Sequence, residues 1–485
     1  MQYYLAIDIG ASSGRHILGH VENGRMVLEE MYRFETQQIH KNGHDCWNIA
    51  GLWRHILEGL KICKAAGKIP VTMGIDTWAV DFLLLDEQGN PVNDAVAYRD
   101  KRTAGMDEIV SKVISPAELY ELTGIQKQIF NTIYQLIALK KDHPEQLAAA
   151  RSFLMIPDYF NFRLTGMRQN EYTNATSTNL VNARTKTWDT ELIEKLGLPL
   201  GVFGPLAMPG TSLGHFTQTV KDAVGFDCEV LLPATHDTGS AFLAVPARDD
   251  KAVTISSGTW SLLGVENDEP ITTEESRLQN FTNEGGYQYR YRYLKNIMGL
   301  WMIQSIRREM NGACCVSGKN DQKAGETKEI SFAELEKFAR DNENFDSVVD
   351  VNDEIFLAPD SMISAVKEYC RKTKQAVPSS TGELIQCVYK SLAKCYAEAI
   401  KDLSRLTRKD YTSINIVGGG SKDGYLNEVT SRAAGLLVFV GPAEGTALGN
   451  LMVQMISGGE YPDITAARNA IKHSFTVKEI QYEQT

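Results

Sequence analysis

The first forty residues alternate short apolar runs with turn residues. The runs YYLAIDIG, RHILGHV and RMVLEEMYRF are separated by the segment ASSG and by Asn23-Gly24. Apolar runs of this length between Gly, Ser and Asn are typical of β-strands, and Asn-Gly is a favoured hairpin turn. The pattern therefore predicts an antiparallel meander at the start of the chain.

Helical spacing of apolar residues follows this meander. Leu52, Ile56, Leu57 and Leu60 stand at positions i, i+4, i+5 and i+8, which places them on one face of a helix. The run PVTMGID comes next and predicts a strand. Strand-like and helix-like runs alternate from there onward, which is typical of an α/β fold.

The last 75 residues show the same alternation. The strand-like run YTSINIV leads into Gly418-Gly419-Gly420 and a helix from about Tyr425. The strand-like run LLVFVG, a turn at Gly445 and the helix-like run TALGNLMVQMI follow. This order predicts strands covered by helices.

One segment of the chain occurs twice. Ser12–Asn23 reads SSGRHILGHVEN and Ser256–Asn267 reads SSGTWSLLGVEN, with seven identical positions of twelve and an offset of 256 − 12 = 244 residues. The repeat favours a duplicated domain in which a strand, a small-residue turn and a second strand open each half. Two unrelated hairpins with ordinary Ser/Gly turns remain the alternative.

The boundary between the two halves is predicted in the segment AVPARDDKA, Ala244–Ala252. A proline and a short run of charges interrupt the apolar pattern there. We therefore expect an N-terminal domain over residues 1–245 and a C-terminal domain over residues 246–485.

Composition excludes several classes of protein. The 50 Lys and Arg residues against 61 Asp and Glu residues leave a net charge of -11, the wrong sign for a nucleic-acid binder. No apolar run approaches the roughly 18 residues of a membrane span, and the start MQYYLAIDIG lacks the basic region of a secretion signal. We therefore expect a cytoplasmic protein. Its eight cysteines, including the adjacent Cys314 and Cys315, are predicted to be reduced thiols. The polar stretch Gly318–Glu329 is predicted as a surface loop.

Three turns rich in Gly and Ser are candidates for phosphate binding. They are Gly10–Arg15 (GASSGR), Ser256–Thr259 (SSGT) and Gly418–Ser421 (GGGS), and each follows a strand-like run. Small residues let backbone N–H groups approach an anion closely. One such turn alone is equally well explained as an ordinary connecting turn, but three together indicate a nucleotide site.

Rival phosphate and nucleophile motifs fail on the same residues. The pattern G-x-x-x-x-G-K-[ST] is absent, and Asp423 stands where a dinucleotide motif that begins at Gly418 needs glycine. GASSG fits G-x-S-x-G and makes Ser12 a candidate hydrolase nucleophile. A nucleophile elbow joins a strand to a helix, whereas RHILGHV is predicted as a strand, so this alternative is disfavoured.

Two clusters of polar residues carry candidate chemistry. Asp8 and Arg15 bracket the first turn, where a carboxylate suits water-held Mg2+ and a guanidinium suits phosphate; an Asx turn is the alternative for Asp8. His236, Asp237 and Thr238 lie where a strand meets a helix. Asp237 could accept the proton of an attacking hydroxyl, or it could merely cap the helix.

The segment GIDTWAVDFLLLD and the following Tyr98–Thr103 (YRDKRT) combine polar groups with an aromatic ring. Asp76, Thr77 and Trp78 stand between two apolar runs in the first of these segments. A sugar pocket needs directional hydrogen-bond partners for hydroxyls and an apolar wall for the ring. Trp78 is equally well explained as a core residue.

With these motifs in place, the chain resembles the FGGY family of carbohydrate kinases, part of the actin, Hsp70 and hexokinase ATPase superfamily. DIGASSGR resembles the first phosphate motif, ISSGTW the second, IVGGGSKDGYLN the adenosine motif and GTALGN the helix beyond it. The resemblance implies an α/β fold of two ribonuclease-H-like lobes, each with a five-stranded mixed sheet, and an active site in the cleft between them.

The resemblance also implies roles for particular residues, with ATP and Mg2+ as cofactors. Asp237 would be the general base, and Asp8 would position Mg2+ through water. The sugar would contact Ala79, His236, Thr238 and Asn296, although the family usually has Gly where Ala79 stands. ATP would contact Ala11, Ser12, Ser13, Gly14, Arg15, Thr259, Gln304 and Gly419.

The segments GIDTWAVDFLLLD, AYRDKRT, HDTGSAFLAVPA and YLKNIMGLWMIQ are most similar to the family members that phosphorylate L-rhamnulose at its C1 hydroxyl. A kinase for another ketose, such as L-fuculose or L-xylulose, is the first alternative. An ATPase module like those of actin and Hsp70, without a sugar substrate, is the second. Oligomeric partners are not predicted.

Overall fold

The computed structural model describes residues 1–313 and 329–481. In these ranges the strands are β1 (Tyr4–Ile9), β2 (Ser13–Glu22), β3 (Arg25–Glu35), β4 (Gln38–Lys41), β5 (His44–Trp47), β6 (Thr72–Thr77), β7 (Phe82–Leu85), β8 (Ser152–Met155), β9 (Asn170–Glu171), β10 (Leu206–Ala207), β11 (Ser212–His215), β12 (Glu229–Leu231), β13 (Ala252–Ser257), β14 (Trp260–Asn267), β15 (Thr282–Gly285), β16 (Tyr291–Met298), β17 (Ser413–Val417), β18 (Leu437–Val440) and β19 (Lys478–Ile480).

The α-helices of the same ranges are α1 (Ile49–Ala65), α2 (Met106–Ser111), α3 (Pro116–Thr123), α4 (Thr132–Asp142), α5 (Pro144–Ala149), α6 (Ile156–Thr165), α7 (Tyr172–Ala175), α8 (Thr190–Lys195), α9 (Gln218–Val224), α10 (Asp237–Leu243), α11 (Glu274–Leu278), α12 (Trp301–Met310), α13 (Phe332–Arg340), α14 (Met362–Lys372), α15 (Thr381–Thr407), α16 (Gly424–Ala434), α17 (Gly445–Ser457) and α18 (Ile464–Ser474). Short 3₁₀ helices lie at Lys101–Thr103, Thr176–Thr178, Leu200–Val202, Tyr287–Tyr289, Glu354–Phe356 and Gly419–Lys422.

Internal contacts divide the chain into two compact units. The first comprises Met1–Ala244, Glu266–Tyr293 and Thr446–Ser474, and the second comprises Val245–Val265, Leu294–Gly445 and Phe475–Thr485. The chain first changes unit after Ala244, but two later segments return to the first unit instead of remaining with the second half. The return through α17 has a visible cause, because Gln454 on that helix donates from Nε2 to the carbonyl of Leu5 on β1 at 2.9 Å.

The first unit is built on a mixed sheet. Among the described residues its strand order is β11, β12, β6, β1, β2, β3. β6 is parallel to β1 and to β12, whereas β2 is antiparallel to β1. The expectation of five strands is wrong here, because β11 adds a sixth strand by pairing antiparallel with β12.

The sheet of the second unit repeats this plan. In the described part of the chain, β14, β13, β17, β18 and β19 are neighbours in that order, and β16 lies beside β14. β13, β17 and β18 are parallel, and β14 and β19 run antiparallel to their neighbours. Among the described residues this sheet has seven strands, because β15 and β16 continue it past β14 and β19 pairs with β18 at the other edge, so the expected five were again too few.

Both copies of the internal repeat form antiparallel hairpins, as predicted. β1 pairs with β2 and β13 pairs with β14. Each hairpin also has a parallel neighbour on its first strand, β6 in one unit and β17 in the other. The two copies therefore occupy equivalent places in two similar sheets.

The predicted helix after the meander is α1. Leu52, Ile56 and Leu60 are buried in the core of the first unit, and Leu57 is half-buried beside them. The helix begins after Asn48, whose side-chain oxygen accepts a hydrogen bond from the N–H of Gly51. The elements predicted over the last 75 residues are likewise present as β17, α16, β18 and α17.

Within residues 1–313 and 329–481, no helix combines the length and the apolar character that crossing a bilayer requires. Cys46, Cys63, Cys228, Cys370, Cys387 and Cys395 are free thiols. Cys314 and Cys315 lie outside the described residues, as does the predicted loop Gly318–Glu329 apart from its last residue.

Candidate active site

The first candidate phosphate turn connects β1 to β2 in the first unit. Thr36, the residue directly after β3, closes this turn: its N–H donates to the carbonyl of Ser12 at 3.1 Å, and its hydroxyl donates to the carbonyl of Gly10 at 2.8 Å. Asp8 lies directly opposite Arg15 in the register of the hairpin. The Arg15 guanidinium donates from Nη2 to Asp8 Oδ2 at 2.9 Å, so the two residues that bracket the turn also form an ion pair.

A second carboxylate, Asp76 on β6, lies beside Asp8. The two residues are register partners on adjacent parallel strands, which lie about 4.8 Å apart. Asn450 on α17 donates to Asp76 Oδ2 at 2.6 Å. Burial, reinforced by the negative charge of Asp8, raises the pKa of Asp76 well above its usual range.

These two carboxylates fit a divalent cation. Among the described residues, the buried Oδ1 of Asp76 has no hydrogen-bond partner, and Asp8 adds negative charge next to it. A cation would give Asp76 Oδ1 a partner and would offset the repulsion between the two carboxylates. Mg2+ prefers carboxylate and water oxygens. In the described part of the chain no group of three or more His, Cys, Asp or Glu side chains is assembled as a metal site, so water would have to supply the remaining ligands.

The sequence predicted Asp76 as part of a sugar pocket and did not predict its place beside Asp8. A signal was available in the chain, because both residues follow an isoleucine near the end of a strand, in LAIDIG and in GIDT. The two short segments do not specify that their strands are parallel neighbours, which only the structure shows.

Asp237 and Thr238 are the first two residues of α10, and His236 directly precedes them at the same edge of the sheet. His236 is bridged in parallel to Thr77 at the end of β6. Asp237 Oδ1 accepts the backbone N–H and the hydroxyl of Thr238, at 2.6 and 3.0 Å. His236, rather than Asp237, holds the capping position before the helix, so the alternative of a plain N-cap does not describe Asp237.

The carboxylate of Asp237 remains reachable from solvent. Its side chain is 31% exposed, whereas that of His236 is 9% exposed. Partial burial, reinforced by the charge of Asp8, raises the pKa of Asp237, although His236 acts in the opposite direction. A reachable carboxylate with a raised pKa is suited to accept a proton from a substrate hydroxyl.

Ala79 lies in a strained turn after β6. The N–H of Asp81 donates to the carbonyl of Ala79 at 2.9 Å, and the residue between them, Val80, has φ 66°. A β-branched residue rarely adopts this left-handed conformation. Thr132 and Gln135 stabilise it by donating to the carbonyl of Val80, at 2.6 and 3.2 Å.

Asp81 anchors the other side of that turn. Its Oδ2 accepts from the indole N–H groups of Trp47 and Trp78 at 2.6 and 3.0 Å and from the N–H of Tyr98 at 3.2 Å. Its Oδ1 accepts from Gln135 at 3.0 Å. The two indole rings lie 4.1 Å apart and are buried, so Trp78 belongs to the core of this unit.

Replacing Asp81 by Asn should destabilise the protein by about 3 kcal/mol, because an amide N–H would face the Gln135 donor inside the core. Chemical denaturation of both proteins measures the difference. Asp86→Asn is the matched control, since Asp86 accepts bonds from Asn90 at the surface and its loss should leave the midpoint unchanged. Equal midpoints for Asp81→Asn and wild type would contradict an anchoring role.

The second unit brings the other two candidate turns together. Gly418 has φ 85°, and a Cβ atom there would lie 2.8 Å from the carbonyl oxygen of Ser257. A Cβ on Gly420 would lie 1.9 Å from the hydroxyl oxygen of Ser257. Only glycine permits this approach, so the GGGS turn packs directly on the end of β13. Gly419, between them, is exposed with open space around it.

The remaining predicted ATP contacts lie near that pair of turns. The carbonyls of Gly258 and Thr259 accept the N–H groups of Leu300 and Trp301, at 3.1 Å each, at the start of α12. Gln304 stands one turn along this helix and is half-buried. Asn296, predicted to contact the sugar, is half-buried on β16 in the second unit.

The predicted residues thus fall into two groups. Asp8, Ala11, Ser12, Ser13, Gly14, Arg15, Ala79, His236, Asp237 and Thr238 belong to the first unit, and Thr259, Asn296, Gln304 and Gly419 belong to the second. Ser12 leads into strand β2 rather than a helix. The hydrolase alternative therefore lacks the strand-to-helix turn on which it depends.

Comparison with known proteins matches both parts of the chain to one family. Residues 3–244 match the N-terminal domain, and residues 253–458 the C-terminal domain, of the FGGY family of carbohydrate kinases. The crystal structure of a ligand-bound xylulose kinase from Lactobacillus acidophilus has a TM-score of 0.78 at 15% sequence identity, over 100% of this chain and 94% of that one. That similarity supports the predicted α/β fold.

Two relatives are similar over nearly their whole length. The rhamnulokinase of Halalkalibacterium halodurans is 50% identical over 99% of this chain and 98% of its own. The rhamnulokinase of Oceanobacillus iheyensis is 48% identical over 98% of this chain and 97% of its own. On its two domains, its fold and these relatives, the chain belongs to the FGGY family of carbohydrate kinases.

Proposed function

We propose that this kinase transfers the terminal phosphate of ATP to the C1 hydroxyl of L-rhamnulose, yielding L-rhamnulose 1-phosphate and ADP. The observation that carries the choice of sugar is the 50% identity, over 99% of the chain, to a relative named rhamnulokinase. Asp237, as a reachable carboxylate at the start of α10, supports the choice of reaction.

Asp237 acts in this proposal as the general base. It accepts the proton of the C1 hydroxyl while the hydroxyl oxygen forms a bond to the terminal phosphorus, and the bond from that phosphorus to ADP breaks. The bonds from Thr238 to Oδ1 hold the carboxylate in one orientation during this step. Positioned proton transfer of this kind contributes about 10²- to 10⁴-fold to a rate.

Phosphate binding falls to the small-residue turns. Backbone N–H groups over Ala11–Gly14 and the side chains of Arg15 and Thr259 bind the phosphates, while Gln304 and Gly419 contact the rest of ATP. Asp8, through water, and Asp76 would hold Mg2+, which would neutralise phosphate charge. The ion pair of Arg15 with Asp8 keeps the guanidinium beside the turn.

The sugar contacts are Ala79, His236, Thr238 and Asn296. The strained turn at Val80 holds the half-buried Ala79 in place, and its methyl group reduces the room at that contact compared with glycine. His236 and Thr238 offer polar groups on either side of the base. Directional partners of this kind distinguish one ketose from another.

ADP release with Mg-ATP should be much faster with L-rhamnulose than with L-fuculose, L-xylulose, L-ribulose or glycerol. A missing hydroxyl contact commonly costs a site of this kind at least about tenfold in kcat/KM. A coupled assay for ADP measures the panel, and 31P–1H NMR of the product identifies the phosphorylated carbon. The Asp237→Asn variant, purified identically, controls for contaminating kinases. Equal rates across the panel would overturn the choice of sugar.

A further inference from the structure

We infer that Arg292 is a positioning residue for His236: it holds the imidazole in the tautomer whose proton is on Nε2, the nitrogen that faces Asp237. The inference rests on the proposed function only where it assigns His236 to the sugar. The tautomer itself follows from contacts within the first unit, to which all three residues belong.

The hydrogen bond between Arg292 and His236 decides the tautomer. Arg292 Nη2 lies 3.1 Å from His236 Nδ1, and both side chains are buried. A guanidinium has only donors, so Nδ1 must be the acceptor and cannot carry a proton. The ring proton is then on Nε2, which lies 3.5 Å from Asp237 Oδ1.

Glu284 is the competitor for Nδ1. Its Oε2 lies 3.3 Å from His236 Nδ1 and could accept a hydrogen bond from that nitrogen if Nδ1 carried the proton. A proton on Nδ1 would then stand against the N–H donor Nη2 of Arg292, which lies closer to Nδ1, at 3.1 Å. Glu284 Oε2 already lies 3.1 Å from Arg292 Nη1, where it balances the guanidinium charge. The contacts therefore favour an accepting Nδ1.

A short hairpin holds Arg292 and Glu284 together. They stand on β16 and β15, and the connecting turn is closed by bonds from Gly286 N to Arg290 O at 2.7 Å and from Arg290 N to Tyr287 O at 3.2 Å. Gln288 and Tyr289, in the middle of the turn, have φ 55° and 60°. Two consecutive left-handed residues match the twist of a hairpin.

The Arg292 side chain is fixed at a second point as well. Its Nε donates to the carbonyl of Gly285 at 3.0 Å, and the residue is 1% exposed. A permanent charge at such depth is tolerated only when it is paired and hydrogen-bonded. One guanidinium thus meets a carboxylate, a backbone carbonyl and the ring nitrogen, which leaves it little freedom to release the imidazole.

The tautomer determines what His236 can do. An Nε2 proton lets the ring donate a hydrogen bond, to Asp237 or to a sugar oxygen. The opposite tautomer would present a lone pair there, beside a carboxylate, and would repel it. Loss of this single oriented hydrogen bond should raise KM for the sugar about tenfold, the equivalent of about 1.4 kcal/mol.

The direct test is 15N NMR of the folded, sugar-free kinase labelled at its histidine rings. The His236 signals are assigned by their absence from His236→Gln. Protonated and unprotonated ring nitrogens have well separated shifts, so the spectrum identifies the tautomer. A protonated Nε2 in the wild type is expected, and a protonated Nδ1 would overturn the inference without any variant. Neither result depends on which sugar the enzyme takes.

Variants test the role of Arg292. Arg292→Lys keeps a donor and should preserve the proton on Nε2. Arg292→Met removes the donor and should allow a protonated Nδ1 to donate to Glu284. In Arg292→Met, KM for the ketose should rise about tenfold, while KM for ATP should stay within about twofold of wild type. Arg163→Met is the matched control, because Arg163 is stacked on Trp53 at 4.4 Å and is not one of the proposed substrate contacts. An unchanged tautomer and an unchanged sugar KM in a folded Arg292→Met would overturn the positioning role.

Discussion

Asp237→Asn is expected to lower turnover by about two orders of magnitude or more while ATP binding stays within about twofold of wild type. Asparagine has nearly the same size but cannot accept the proton of the attacking hydroxyl. The bonds from Thr238 use Oδ1 alone, and an amide oxygen can still accept them, so the start of α10 should be preserved. Single-turnover rates with saturating ketose and ATP measure the first effect, and ATP titration measures the second.

The control for this variant is Asp222→Asn. Asp222 is an exposed carboxylate that accepts a bond from Gln218, and its replacement should leave turnover unchanged. A nearly normal turnover in Asp237→Asn would assign the proton acceptor to another group. A parallel loss of ATP binding would instead indicate that the substitution had disturbed the fold of the first unit.

Gly449→Ala is expected to destabilise the first unit by about 3 kcal/mol or more and to abolish most activity. Gly449 on α17 packs against the backbone of α10, where a Cβ atom would lie 1.8 Å from the carbonyl oxygen of Ser240 and 2.5 Å from its carbonyl carbon. Backbone atoms cannot rotate away as a side chain can. The two helices must therefore separate, and α10 carries Asp237 at its first residue.

Gly201→Ala provides the matched control for the same chemical change. A Cβ atom on Gly201 would meet nothing within 4 Å, and the residue does not have a positive φ. Thermal and chemical denaturation of both variants, with ADP release measured beside them, compare the two sites. Wild-type stability and activity in Gly449→Ala would refute the close helix contact.

Local pattern was a good guide to the elements that hold the candidate site. The hairpin β1–β2, the helix α1 and the series β17, α16, β18 and α17 were all predicted from apolar spacing and turn residues. The junction before Asp237 was predicted in the same way. Each of these features depends on residues only a few positions apart, so the sequence contains the information directly.

Contacts between distant residues were harder to foresee. The helix-like run TALGNLMVQMI was predicted as part of the C-terminal half, whereas α17 from Thr446 onward belongs to the first unit, with Asn450 hydrogen-bonded to Asp76. The extra strands β11 and β19 were also missed. Each is a short edge strand, three or four residues long, and carries too little apolar pattern to be recognised before its partner is known.

The amino-acid sequence by itself determined the α/β alternation, the duplicated hairpin and the small-residue turns, because local steric preference and periodic burial specify them. It also indicated Asp237 as the candidate base, through its place where a strand meets a helix and through the resemblance to the FGGY family. Only the tertiary structure decided that Asp8 and Asp76 are neighbours and that Arg292 reaches His236. Strand pairing joins Asp8 to a residue 68 positions later (76 − 8 = 68), and a buried hydrogen bond joins Arg292 to a residue 56 positions earlier. Such pairings follow from the packing of the whole sheet, which no short stretch of sequence encodes.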